Sequence, residues 1–366
     1  MENGRNPRRR NAAKNQRRDW RYGADGGRSW DRRSGADDGR SWDRRSDADG
    51  AAYRGDYPPY QGERRTPYRG KRRKAYDGSR RGGCLRRLIV AALFALFCVL
   101  FFRWSNESLQ LTRWDAAFPD LPDGFDGCRI AVLSDLHGAE FGADGYDLYR
   151  LTARQHPDYI FFLGDLEDGL RGPVAGYAER VADALTAIAP TYYITGNHEW
   201  AIGGVPELKR RLTAHGVRVL SNEFVPLERG GDTLILAGID DPNGYADQKS
   251  PEGVAADLYA AYGNPFWILL AHRNNLFPTR YCNLGADLVL SGHGHGGLIR
   301  LPFTDGLISA DRKFFPSWTA GFYEKNGSRL FVTRGLGNSG KTFRLFNRPE
   351  VAILTLRKAE QELQAG

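Results

Sequence analysis

Five apolar runs in this chain end on side chains that bind metal ions, and that recurrence constrains the fold more than anything else in its 366 residues. The runs at 129–133, 159–163 and 192–194 lead into Asp135-x-His137, Gly164-Asp165-x-x-Asp168 and Gly196-Asn197-His198-Glu199. Those at 266–271 and 287–291 lead into His272 and Gly292-His293-x-His295. Short apolar runs bounded by turn residues read as buried strands, so the fold must gather five strand ends in one place. Only seven histidines exist, and five lie in these segments. The other two, His156 and His215, fit helix ends, where a surface cap accounts for them.

Between the strands, 145–155 and 174–188 carry helical spacing, with Tyr146, Leu148 and Leu151, then Tyr177, Val181, Leu185 and Ile188, on single faces. Pro206 suits the first turn of a third helix, which Gly216 closes after His215. Further strands are expected at 217–220, 233–238, 298–301, 329–334 and 350–356. The pattern is α/β with a mixed sheet, in a stretch of about 250 residues that can bury one sizeable core.

Charge divides the chain. Residues 1–87 hold 26 of the 52 Lys and Arg and 12 of the 44 Asp and Glu, a net of +14, which leaves −6 for the rest. The basic part has few Leu, Ile or Val and repeats an octapeptide at 27–34 and 39–46. It buries too little apolar surface to offset chain entropy, and a disordered tail is expected over 1–84. Residues 88–102 are fifteen apolar residues without a charge. Arg86, Arg87 and Arg103 can snorkel and Trp104 suits an interface, so 85–104 reads as an uncleaved single-pass anchor. No Ala-x-Ala site follows it, which argues against a cleaved signal. Residues 71–87 carry eight basic side chains and one acid, against two basic and three acidic in 103–122. That asymmetry puts the tail in the cytoplasm and the C-terminal domain outside the membrane. A linker is expected over 105–124 and the folded domain over 125–366. Of the four cysteines, Cys128 and Cys282 could pair in an oxidising compartment, but buried free thiols fit better.

The ligand residues carry their own chemistry. Asp and His two apart on a turn leaving a strand can face one ion, and Asp135 and His137 have that spacing. Asp165 can bridge two ions through its two oxygens. Asn197 offers a neutral amide oxygen that leaves an ion Lewis acidic, and His272, His293 and His295 each supply an imidazole. Nitrogen and oxygen donors without cysteine suit Mn²⁺, Fe or Zn²⁺ better than Ca²⁺.

The order Asp-x-His, Gly-Asp-x-x-Asp, Gly-Asn-His-Glu, His, Gly-His-x-His resembles the calcineurin-like metallophosphoesterase superfamily. The resemblance implies a four-layer αββα sandwich with two divalent ions where strand ends meet, Mn²⁺ foremost. It implies hydrolysis of phosphoric esters by a hydroxide bridging those ions. One ion would take Asp135, His137, Asp165 and His295, and the other Asp165, Asn197, His272 and His293. His198 would stabilise or protonate the leaving oxygen. Asp168 would orient it, with Glu167 and Glu199 as alternative carboxylates. Residues 291–297 (Ser-Gly-His-Gly-His-Gly-Gly) and 334–338 (Arg-Gly-Leu-Gly-Asn) look like membrane-associated bacterial phosphodiesterases of the YkuE and YaeI type, over about 125–357. The stretch His272-Arg273-Asn274-Asn275 departs from the His-Asn-Pro common there, keeping the ligand but changing the wall beside it. The paired arginines of protein Ser/Thr phosphatases are missing near Gly164-Asp165.

The expected function is a phosphodiesterase or pyrophosphatase acting on a lipid-linked or cell-envelope phosphate. A compound like UDP-2,3-diacylglucosamine is one candidate, because relatives cleave the pyrophosphate of such an acylated sugar nucleotide. The alternative is a membrane-tethered interaction protein. Its Arg-rich tail, interleaved with Trp20, Trp30, Trp42 and Tyr53, would bind nucleic acid or anionic lipid. For the catalytic part nucleic acid is disfavoured, since its net negative charge repels a polyanion. No sequence feature sets an oligomeric state.

Overall fold

The computed structural model describes residues 79–168, 174–301, 303–309 and 312–359. The tail expected over 1–84 lies outside them apart from its last six residues, which open helix α1 (Ser79–Glu107). Within α1, Gly83–Glu107 is a 25-residue stretch whose most apolar eighteen residues have a mean hydropathy of 2.3 and are unburied. At about 1.5 Å per residue it reaches roughly 37 Å, more than a ~30 Å hydrocarbon core. The chain thus has a helix long and apolar enough to cross a membrane.

Two six-stranded sheets follow. The strands in chain order are β1 (Gln110–Phe118), β2 (Arg129–Leu133), β3 (Tyr159–Phe162), β4 (Thr191–Tyr193), β5 (Arg218–Val219) and β6 (Glu223–Arg229). Then come β7 (Asp232–Gly238), β8 (Trp267–Arg273), β9 (Leu288–Gly292), β10 (Gly321–Lys325), β11 (Ser328–Val332) and β12 (Glu350–Lys358). One sheet runs β1-β12-β2-β3-β4-β5 and the other β10-β11-β9-β8-β7-β6. Among the described residues the other α-helices are α2 (Tyr146–Ala153), α3 (Tyr177–Thr186), α4 (Asn197–Ile202), α5 (Val205–Ala214) and α6 (Pro251–Tyr262).

Strand alternation builds the layers. Ile130, Val132 and Phe161 of the first sheet pack against Leu236, Ile268 and Leu290 of the second. Their neighbours Ala131, Leu133, Ile160 and Phe162 point the other way, beneath Leu148 of α2, Val181 and Leu185 of α3 and Leu208 of α5. On the far side, Ile235, Leu269 and Val289 lie under Val254 and Leu258 of α6. With period two, each strand feeds two cores, and the result is the expected αββα sandwich. Strands β2, β3 and β4 are mutually parallel, as are β7, β8 and β9. Their carboxyl ends are where open α/β sheets place ligands.

Some elements differ from the sequence reading. Strand β1 lies inside the stretch read as a linker and pairs in parallel with β12, from Gln110↔Glu350 to Phe118↔Lys358. Both β1 and β6 are sheet edges with mixed polar and apolar residues, so neither shows an apolar run. Helix α6 was not expected from the sequence; in the structure Ser250 Oγ caps it by accepting the Gly253 N–H at 3.1 Å, and Pro251 opens its first turn. The strand expected at 298–301 makes only single bridges, Leu298 with Ile308 and Ile299 with Leu345, because Gly296 and Gly297 turn the chain at positive φ just before it. Cys128 and Cys282 are buried free thiols in different cores.

Candidate metal centre

Five of the seven expected ligands follow a strand on a sharp turn, whereas His272 lies within β8 and Asn197 opens α4. Asp135 (φ 55°), His137 (49°), Asp165 (54°), His293 (64°) and His295 (47°) all sit in the left-handed region. Asp and His tolerate it better than most side chains, yet each such residue costs about 1–3 kcal/mol unless its surroundings enforce it. The enforcement is main-chain bonding between adjacent turns. Asp135 N–H donates to Gly164 O and His137 N–H to Asp165 O, both at 3.0 Å. The glycines of two motifs exist because these turns touch. A Cβ on Gly164 would lie 2.3 Å from Gly196 N, and one on Gly196 would lie 2.2 Å from Asp165 Oδ1.

The seven expected ligands converge in two overlapping groups. In the first, His137 Nε2 lies 3.2 Å from His295 Nε2, and Asp135 Oδ1 lies 3.5 Å from His295 Nε2. In the second, His272 Nε2 lies 3.2 Å from both Asp165 Oδ2 and Asn197 Oδ1, with His293 completing the cluster. Asp165 Oδ2 is also 3.6 Å from His137 Nε2, so one carboxylate faces both groups. Asp135, His137, Asp165, His272 and His295 are buried.

Protonation suits cation binding. Burial drives His295 down to about 3 and His293 down to about 4, the latter aided by His272, so both rings are neutral donors. Burial likewise lowers His137. For Asp135 and Asp165 burial opposes ionisation, but the surrounding histidines outweigh it and hold both carboxylates low. His272 is the exception. Burial would neutralise it, yet Asp165 raises it to about 10, so a ring proton balances the carboxylates where a cation would. Buried carboxylates and imidazoles within 4.8 Å of one another, without thiols, form a donor set that fits hard to borderline divalent ions.

His198 stands beside this set. Its Nδ1 is 3.6 Å from Asp168 Oδ1, and Asp168 Oδ2 accepts the Gly340 N–H at 2.9 Å. Glu199 is occupied elsewhere, accepting main-chain N–H bonds from Gly196, Leu166 and Asp165 at 2.6–3.1 Å. Burial pushes its carboxyl up to about 7. Of the carboxylates weighed for His198, the structure brings Asp168 to the ring. His215 caps α5 and contacts Asp183 at 2.7 Å, away from the centre.

Two residues here gave no sequence signal of their own. Ser339 Oγ lies 3.1 Å from His198 Nε2. Arg344 is fully buried, donates to Gly337 O and Arg334 O at 2.7 and 2.8 Å, and stands 3.2 Å from His295 Nδ1. Burial lowers its guanidinium to about 10, still charged at neutral pH. Both follow the 334–338 stretch, which carried only a family likeness.

Residues 128–297 match the family model for the calcineurin-like phosphoesterases. The metallophosphoesterase YkoQ of Bacillus subtilis (strain 168) is 29% identical over 275 residues, covering 72% of this chain and 98% of its own. YkuE of the same organism is 29% identical over 243 residues, covering 65% and 82%. A transmembrane protein with metallophosphoesterase domain from Danio rerio is 28% identical over 248 residues, covering 65% of this chain and 55% of its own. The chain therefore spans about half the length of that last relative.

Proposed function

We propose that this chain, which carries a calcineurin-like metallophosphoesterase domain and is a phosphoesterase hydrolase, cleaves phosphodiester or pyrophosphate bonds in a lipid-linked or cell-envelope substrate. Asp135, His137, Asp165 and His295 would hold one divalent ion and Asp165, Asn197, His272 and His293 a second. Mn²⁺ is the ion proposed, with Fe and Zn²⁺ also compatible with the donors. Two such ions supply water deprotonated near neutral pH and offset charge on the phosphoryl oxygens. His198 then donates a proton to the leaving oxygen, and Asp168 orients the ring. Helix α1 anchors the enzyme, with the basic flank at 71–87 cytoplasmic and the catalytic domain outside.

The lipid reading rests on a cavity of about 520 Å³ that shares Ser339 with the His198 site. Leu298, Ile299, Ile308 and Phe343 give it an apolar wall, and Arg312 and Lys341 give it two cations. An acyl chain suits the first and a phosphate the second, as in a sugar nucleotide of the UDP-2,3-diacylglucosamine kind. The test is a rate comparison with the full chain in detergent and Mn²⁺. Substrates would be an acylated UDP-sugar, its unacylated counterpart and a nitrophenyl phosphodiester. The acylated compound should exceed the unacylated one in kcat/KM by roughly tenfold or more, the worth of a few methylenes in an apolar pocket. Equal rates would sink the lipid reading, and hydrolysis of the nitrophenyl ester alone would leave a phosphodiesterase of soluble substrates.

A further inference from the structure

The lobe formed by 298–301, 303–309, 312–318 and 339–346 holds large apolar side chains in the open. Phe303 is fully exposed and Phe314 and Phe315 are 70% and 69% exposed, with Leu301, Phe343 and Phe346 at 42–55%. Main-chain bonds tie its two stretches together. Arg300 N–H donates to Leu345 O at 3.0 Å, Leu345 N–H to Leu298 O at 3.1 Å and Phe315 N–H to Leu307 O at 3.0 Å. The aromatics are therefore mounted on a bonded frame.

What covers them is indicated by what they adjoin. Phe346 lies 5.0 Å from Phe101 and Phe343 lies 5.7 Å from Phe102, ring to ring, on the last turns of α1. Asn106 of α1 accepts the Arg344 N–H at 2.7 Å and donates to Arg344 O at 3.0 Å. The apolar surface of the helix thus continues onto the lobe. Exposed apolar patches of this kind mark contact surfaces, and aromatic rings favour the boundary between membrane and water. Charge agrees, since with the buried Arg344 set aside 298–318 and 339–346 still hold four basic side chains, Arg300, Arg312, Lys313 and Lys341, against two acidic ones.

We propose that this lobe is a second membrane contact, which enters the headgroup layer of an anionic phospholipid bilayer beside α1. The inference rests on α1 crossing that bilayer. Aromatic side chains on a basic frame bind as monotopic elements do, by apolar burial plus attraction to anionic lipid. The cavity beside His198 shares Arg312 and Phe343 with the lobe, so its mouth meets the lipid surface directly.

Spin labels on the full chain decide it. Cys84 and Cys98 are exposed, whereas Cys128 and Cys282 are buried, so a Cys84→Ser/Cys98→Ser background accepts label only at an added cysteine. Phe303→Cys, Phe314→Cys and, as an anchor control, Phe97→Cys would be reconstituted separately in phosphatidylcholine–phosphatidylglycerol vesicles. Collision with oxygen, which concentrates in lipid, is then compared with collision with a water-soluble nickel chelate. Oxygen-dominated relaxation at 303 and 314 is expected. Nickel-dominated relaxation there, with oxygen dominating at 97, overturns the patch and keeps the anchor. Nickel dominance at all three sites overturns both, and shielding of 303 and 314 from both reagents overturns lipid in favour of a protein cover.

Discussion

The two ligand groups share Asp165 but are held in opposite ways. Around the first, Asp135, His137 and His295 are sealed in, and behind His295 stands a buried guanidinium rather than solvent. The second is more open, with Asn197 and His293 partly exposed. There the main chain fixes the ring directly, because His272 Nδ1 lies 2.6 Å from Leu163 O and leaves Nε2 to face Asp165 and Asn197. A histidine ligand is set by what its other nitrogen touches. The first pocket therefore depends on a distant loop, through Arg344, and the second on the strand ends alone. A tight, slowly exchanging first ion and a readily exchanged second ion are the expectation.

The most severe way to break that contrast is Asp165→Asn. The shared carboxylate goes, both pockets should lose metal, and turnover should fall by about 10³-fold or more, a loss of several kcal/mol of charge stabilisation. Elemental analysis beside a rate measurement checks it. Normal occupancy of both sites would remove Asp165 from the shared position.

Removing only the ring should separate binding from chemistry. His198→Ala should keep both ions yet slow cleavage of poor leaving groups by about 10²–10⁴-fold, the scale of general acid catalysis. A nitrophenyl ester needs little protonation and should suffer less. Equal losses on both substrates would assign His198 to charge stabilisation instead.

Arg344→Met tests whether the asymmetry is real. Stability should drop by about 2 kcal/mol, since the carbonyls of Gly337 and Arg334 lose their buried donor. Metal affinity should weaken by about 10–100-fold in the first pocket and hardly change in the second. Titration calorimetry that found both pockets equally weakened would erase the distinction.

The smallest effect belongs to a control at the opposite end of β9. Burial raises Asp287 to about 6, although its Oδ2 accepts the Trp267 N–H at 2.8 Å. Ionising it is disfavoured in the folded state, so stability should decline as pH rises from about 4 through 6 and level off above. Asp287→Asn keeps an acceptor and escapes that decline. Its stability gain should be on the order of 1 kcal/mol at pH 8, discounted for partial exposure, and vanish near pH 4, with neither pocket altered. Melting curves at the two pH values give the answer.

Why the clustered side chains could be read in advance and their supports could not follows from where each resides. Asp135, Asp165 and Asn197 sit at the ends of interior strands, whose burial on both faces writes an uninterrupted apolar run. Strand β1 borders solvent, so Thr112, Arg113 and Asp115 interrupt it, and only its pairing with β12 reveals it. Arg344 and Ser339 act from loops without periodicity, and a buried arginine has the same letter as an exposed one. The anchor was read as 85–104, around a fifteen-residue apolar core that Arg103 ends, yet the helix runs from Ser79 to Glu107. Helical geometry does not stop at the first charge, and Arg103 finds a partner one turn on, in Glu107 at 2.8 Å.

The pairing of β1 with β12 also sets when the molecule can be finished. Gln110 lies opposite Glu350, so the strand that emerges from the helix waits for a segment far along the chain before it has a neighbour. Closing so long a loop adds little equilibrium cost but delays folding, because non-local contacts come late. The same late segment carries Ser339 and Arg344. A chain interrupted before residue 339 would hold every proposed metal ligand yet lack the seam that joins its sheet to its helix, and quality control would meet it as an unclosed edge.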